Sequence, residues 1–238
     1  MMLGQMFSKP EKFIVYWGRF MEEIIQLCVK SVGIVVLMSA FMGMVIVIQT
    51  ASAIDSPLIP WYTVGFTTKQ SVILEFSPTI MSLILAGKVG SNIASELGSM
   101  RVSEQIDALD IMGINSINYL ITPKILASVL FFPVVIVFSM FFGFAGGYFA
   151  CITSGLVDPM NYVGGIVYFP EDNLLYMYYA LGKTALFAFI ITSVSSYMGY
   201  YVKGGSLAVG KASTSAVVYA SVLILLFNYL VTQLVLIN

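Results

Sequence analysis

From Ser31 to Ile54 the chain carries no charged residue and no proline. A run of that length crosses a bilayer as a helix, for which ~20 apolar residues suffice. In hydrocarbon the backbone has no water to bond, so the helix must satisfy its own N–H and C=O groups. Four further apolar stretches, at about 70–88, 125–150, 174–201 and 213–237, repeat the pattern. The chain is 59% hydrophobic and only 10% charged, where a soluble domain carries roughly 25% charged residues. The fold class expected is an all-α polytopic membrane protein of 238 residues in one transmembrane domain. A net charge of -1 leaves no basic surface for nucleic acid, and with no His the usual proton shuttle near neutral pH is missing.

Residues 1–30 read differently from a cleaved leader. Lys9, Lys12, Arg19 and Lys30 are scattered among Glu11, Glu22 and Glu23, and no A-x-A site follows the first apolar run. Phe13, Tyr16, Trp17, Phe20, Met21 and Ile24 fall on one helical stripe, with Arg19, Glu22 and Glu23 mostly off it. This predicts an amphipathic helix lying in the membrane interface, with Pro10 acceptable early in it. Pro57 and Pro60 stop the first span before the second begins. A polar and aromatic connector, Cys151 to Asn173, follows the third span, and a Gly- and Lys-rich loop, Val202 to Ala212, follows the fourth.

Orientation follows from Lys and Arg. If the N-terminus, the 88–124 island and the 202–212 loop share a side, that side holds Lys9, Lys12, Arg19, Lys30, Lys88, Arg101, Lys124, Lys203 and Lys211. The other side holds Asp55, Asp158, Glu171 and Asp172 against Lys69. The expectation is therefore N-terminus in, C-terminus out. Cys28 and Cys151 then lie near opposite faces, too far apart for a disulfide.

The segment 89–124 is a polar island between apolar runs. Ser103 is a candidate N-cap, with Glu104, Gln105 and Asp107 in or near the first turn, where carboxylates favour the positive helix end. Gly113 can close the helix in the left-handed conformation. The expected helix of about ten residues is too short to span. Ile106, Leu109 and Met112 would face inward, and Glu104, Asp107 and Asp110 outward. Two readings stand on these residues alone: a solvated connector, or a docking element for another protein.

Gly205 to Ala212, GSLAVGKA, is one hydroxyl short of a phosphate-binding loop. A span precedes it where a strand is required, and Ala212 replaces the Mg²⁺-binding hydroxyl. ATP hydrolysis would thus need a separate subunit.

Within the spans the informative residues are Glu75 and Lys183. Glu75 stands roughly 20 Å from the level of Lys88 and Lys183 roughly 30 Å from Lys203, at about 1.5 Å per residue. A charge at such depth requires a partner, water or a path to the interface. An ion pair, a snorkelling Lys183 and a polar cavity lined by Glu75 all meet that requirement. Gln49, in an otherwise apolar helix, also needs a hydrogen-bond partner. With the neighbouring Val47 and Ile48, it is expected to share one cavity wall with Glu75. Ser39 with Gly43, and Gly143 with Gly147, are small-residue pairs that permit close helix contact.

These motifs resemble the MlaE (YrbE) family of permeases. The resemblance rests on Gly87–Ser91 as G-[RK]-x-G-S and on the A-S-E-L-G step at Ala94–Gly98. It continues through M-R-x-x-E-Q at Met100–Gln105 and a short helix ending at Met112-Gly113. G-M-V-x-x-x-Q at Gly43–Gln49, E-[LF]-x-P at Glu75–Pro78, and the small-residue stretch Gly204, Gly205, Val209, Gly210 and Ser213 extend it. Members often carry a basic residue before the acidic one; here it is Leu74.

The resemblance implies a homodimeric permease in the bacterial inner membrane. It implies a cytoplasmic ATPase subunit holding ATP and Mg, with no cofactor or metal in this chain, and a periplasmic lipid-carrying MCE-domain protein. Phospholipid would be the cargo. Arg101, Glu104, Gln105, Asp107 and Asp110 would then couple to the ATPase, and Val47, Ile48, Gln49 and Glu75 would line a lipid cavity at the dimer centre. The chain itself would not be an enzyme. The runner-up is an ion-coupled secondary transporter or channel, which expects ionisable relays across several spans. An intramembrane enzyme lacks a nucleophile–base pair in this sequence.

Overall fold

A computed structural model describes residues 13–54, 58–168 and 173–236. The expectations for Pro10, Asp55, Pro57, Glu171 and Asp172 lie outside the described residues. Ten α-helices carry the chain among the described residues, with no strand. They are α1 (Phe13–Glu23), α2 (Lys30–Ser52), α3 (Tyr62–Ser71), α4 (Met81–Leu85), α5 (Ser91–Val102), α6 (Gln105–Ile111), α7 (Ser116–Ser154), α8 (Pro159–Val167), α9 (Asn173–Tyr200) and α10 (Ser206–Leu236). π-helical segments Ile24–Val29, Val72–Ile80 and Ala86–Gly90 join α1 to α2, α3 to α4 and α4 to α5. Among the described residues five stretches are long and apolar enough to cross a membrane: Tyr16–Ser52, Tyr62–Val102, Ser116–Ser154, Leu175–Tyr200 and Ser206–Val235. Large apolar side chains such as Phe41, Phe141, Phe149 and Leu225 are exposed along them. In water such surface would be a liability; against lipid tails it is the ordinary outer face of a multi-pass membrane protein.

The helices outrun the apolar stretches read from sequence. The amphipathic α1 runs through its π segment into α2 with no break, giving 37 continuous residues. The second helix extends past Lys88 to Val102, and the fifth begins at Ser206, so only a short turn remains after Tyr200. Polar ends add no hydropathy signal, yet helical hydrogen bonding continues through them. The Cys151–Asn173 connector also holds a helix, α8. Asp158 is its N-cap, its carboxylate accepting from the Met160 N–H at 3.0 Å, and Pro159 occupies the first turn. That Asp-Pro pair was the signal to read.

The chain divides into two compact units. One comprises Val32–Met81 and Pro133–Thr184. Small residues set its packing: a Cβ on Gly43 would lie 1.9 Å from the Gly143 carbonyl oxygen, and one on Gly146 would lie 2.1 Å from that of Ala40. The two small-residue pairs of the sequence therefore meet at α2 and α7. Gly65 of α3 and Gly165 of α8 interlock likewise, each Cβ position 2.1 Å from a backbone oxygen of the other helix. Tyr162, fully buried, donates its hydroxyl to the Phe144 carbonyl at 3.2 Å, and burial pushes its phenol pKa up.

The other unit comprises Met1–Ser31, Ser82–Phe132 and Ala185–Asn238. Here Gly199 of α9 lies against Ala94, and Gly98 of α5 lies under Val209 of α10. The Ser213 hydroxyl donates to the Ser91 carbonyl at 3.1 Å. On α1, Phe20 meets Phe131 edge-on and Ile24 is buried, while Trp17 and Met21 stay exposed. Arg19 donates to the Tyr119 hydroxyl at 3.0 Å. Glu23, expected off the apolar stripe, is buried instead.

Candidate functional site

Glu75 lies in the π-helical segment that contains Pro78. Proline has no N–H to give to the preceding turn. Lys183 of α9 reaches this segment. Its ammonium donates to the Leu74 carbonyl at 3.1 Å and to Glu75 Oε1 at 2.9 Å. Thr79 donates to Glu75 Oε2 at 3.0 Å, and the Tyr179 ring centroid lies 5.1 Å from the ammonium. Of the readings open at the sequence level, the ion pair is the one formed. It is lopsided: the Lys183 side chain is 0% exposed, whereas that of Glu75 is 40% exposed. The cation is buried in the fold, and the carboxylate is partly exposed. A void beside it, lined by Ser39, Phe76, Ser77 and Ser139, measures about 10 Å³, at the lower limit for one water.

The expected cavity wall is corrected at one position. Val47 is buried, packed with Ala51, Val64, Ala150, Cys151, Val157 and Tyr162. It fills the notch at Gly147, where a Cβ would lie 2.9 Å from its Cγ2. Ile48 and Gln49 are exposed on α2. Rotation about the helix axis turns Val47 toward α7, while Ile48 and Gln49 stay exposed.

The polar island folds as α5, a tight turn and α6. Ser103 is not an N-cap: its hydroxyl donates back to the Ser99 carbonyl at 2.8 Å, and the residue ends α5. Glu104 takes the turn with φ 59°, and α6 runs seven residues, shorter than expected. Gly113 closes α6 at φ +79°, with Gly113 N–H bonding Asp110 O at 3.0 Å and Ile114 N–H bonding Leu109 O at 3.1 Å. That is the left-handed closure read from sequence. Ile106 is buried and Leu109 half-buried, but Met112 is exposed together with Ile111. Glu104, Gln105, Asp107 and Asp110 all face outward. Arg101 binds Asp107 at 2.6 Å, clamping α5 to α6. This leaves a small acidic knob with an apolar tip, Ile111 and Met112.

Sequence reading missed a buried cluster in the same unit. The Lys124 ammonium meets Glu23 Oε1 at 2.7 Å and Glu96 Oε2 at 2.9 Å. It ties α1, α5 and α7 together. In the sequence Lys124 bears only on orientation, and three charges so distant from one another carry no local pattern. The GKA of the near-match to a phosphate loop sits inside α10, whose first residue is Ser206.

The Permease MlaE family model matches residues 20–234. A probable ABC transporter permease protein of Rickettsia bellii is 32% identical over 92% of this chain and 84% of its own length. One from Synechocystis is 31% identical over 86% of this chain and 77% of its own length. The intermembrane phospholipid transport system permease protein MlaE of Haemophilus influenzae is 25% identical over 98% of this chain and 88% of its own length. With five membrane-crossing helices and a family match that runs nearly end to end, the chain belongs to the MlaE family of ABC transporter permeases.

Proposed function

We propose that this permease moves phospholipid between the inner membrane and a periplasmic MCE-domain carrier. It works as a homodimer, with ATP hydrolysed by a separate cytoplasmic subunit. The observation that carries the reading is Glu75: a carboxylate within an apolar helix, bound to a buried lysine yet itself 40% exposed. Such a residue marks a polar path through hydrocarbon. The phospholipid cargo is supported by the name of the Haemophilus influenzae relative. Ile48, Gln49 and Glu75 line the cargo route at the dimer centre. The acidic knob of α6, with Arg101, Glu104, Gln105, Asp107 and Asp110, seats on the ATPase. The N-terminus and the knob are cytoplasmic.

One reconstitution tests both halves. Purified transporter in liposomes is assayed for ATP-dependent release of labelled phospholipid to an acceptor, and for ATPase retention on the permease. Glu75→Lys should abolish lipid release with the ATPase still bound. Glu104→Lys with Asp107→Lys should lose the ATPase from a permease that remains folded. Normal transfer by Glu75→Lys would remove Glu75 from the lipid route.

A further inference from the structure

Two lysines, Lys30 and Lys88, share a cleft that the transport reading leaves unused. Lys30 is the first residue of α2, directly after the π-helical segment Ile24–Val29; Lys88 lies in the π-helical segment Ala86–Gly90. π-helical turns widen a helix, loosen its hydrogen bonding and recur at functional sites. Here two of them border one opening. The cleft has a volume of about 210 Å³, and Gln26, Ser31 and Asn92 add polar groups to its wall. A water takes ~30 Å³, so the space admits a group the size of a hydrated phosphate.

Its charge is uncompensated. Lys88 donates to the Lys30 backbone carbonyl, which uses one of its three ammonium hydrogens. Among the described residues neither ammonium has a carboxylate within 4.0 Å, since every ion pair involves other groups. Both lysines are exposed, as are Gln26 and Asn92 with their amide donors. An anion is the complementary ligand.

Position selects which anion. The uncharged run begins immediately after Lys30, and the uncharged stretch 76–87 ends immediately before Lys88. Both lysines therefore mark the level where an apolar span gives way to polar residues, which is the level of lipid phosphates. Ile25 and Val29 are exposed on the π-helical segment just before Lys30, an apolar flank that a free phosphate would not need and an acyl chain would cover. We propose that the Lys30–Lys88 cleft binds the phosphate of an anionic phospholipid from the leaflet beside it. This requires only that the chain spans a membrane, and it stands whether or not phospholipid is the transported cargo.

The test is an amine-acetylation footprint read by mass spectrometry on the full chain, with any subunits that co-purify. Nanodiscs of phosphatidylcholine are compared with nanodiscs containing phosphatidylglycerol, and with phosphatidylcholine plus millimolar inorganic phosphate. Phosphatidylglycerol should slow acetylation of Lys30 and Lys88 about tenfold, and the exposed Lys203 and Lys211 much less. Lys88→Gln should weaken the lipid protection of Lys30 about fivefold, the effect of one basic residue near an anionic surface. Equal slowing at all four lysines would reduce the effect to general surface charge and overturn the site. Full protection by inorganic phosphate alone would make it a soluble-anion site and overturn the lipid assignment. The wild-type footprint decides these outcomes even if the variant fails to fold.

Discussion

Replacing Lys124 with Met tests the buried cluster most directly. The side chain is 1% exposed and that of Glu23 8%, with the ammonium 2.7 Å from Glu23 Oε1. Glu23 Oε2 already has no hydrogen-bond partner, so the ammonium is what holds this carboxylate in place. Met fills much of the same volume but leaves Glu23 as an uncompensated buried charge. Breaking a buried pair in this way costs about 3–5 kcal/mol. Glu96 adds little, because its side chain is 34% exposed and stays hydrated once released. At ~2–4 °C per kcal/mol for a chain of this size, the melting temperature should fall by roughly 6–20 °C. The assay is thermal unfolding of the purified chain in detergent, followed by tryptophan fluorescence and by loss of the monodisperse chromatographic peak. Lys124→Met combined with Glu23→Gln removes the stranded charge and should recover more than half of the loss, a coupling read from the double-mutant cycle. If Lys124→Met melts within about 3 °C of the wild type, or if the double variant is no more stable than the single, the cluster does not carry the packing of α1 against α5 and α7.

Gly146→Ala should destabilise the unit containing α2 and α7 by about 1–3 kcal/mol, because its Cβ would lie 2.1 Å from the Ala40 carbonyl oxygen and backbone would have to move; Gly18→Ala, with nothing within 4 Å, is the control and should melt at or above the wild-type temperature in the same assay. For topology, a membrane-impermeant thiol reagent applied to intact cells should label Asp158→Cys, and Lys203→Cys only after permeabilisation. The reverse pattern would turn the acidic knob away from a cytoplasmic ATPase.

Helix content and the number of membrane crossings were legible because they depend on local composition. Long uncharged runs have one solution in hydrocarbon, and the run after Lys30 became α2 almost to the residue. Gly113 was legible for the same reason, since the closing turn of α6 is set by its own φ. What failed was information carried between distant residues. Ser103 looks like an N-cap, but its hydroxyl finds the Ser99 carbonyl one turn back and finishes the preceding helix. Val47 directly precedes two candidate cavity residues in sequence, yet the notch at Gly147 draws it inward. Glu23 and Lys124 are separated by a hundred residues of chain, and only tertiary packing shows that each is the other's solvent. The Glu75 to Lys183 pair was half legible: two charges in apolar helices each need a partner, but nothing in the sequence says that the same lysine also takes the Leu74 carbonyl.

That shared ammonium bears on how the chain enters the membrane during synthesis. The helices that carry Glu75 and Lys183 are the two least apolar of the five crossings. A lone acid or lysine deep in a nascent span raises its insertion cost by about 2.5–3.5 kcal/mol. Glu75 leaves the ribosome first and waits through the synthesis of an entire intervening span before its counter-charge arrives. The strongly apolar third span is made in that interval, and its Gly143 and Gly146 give the first span a seat against it. When the fourth span emerges, its lysine meets an acid and a backbone carbonyl already at hand, so a segment poorly suited to enter lipid alone is received by the protein made before it.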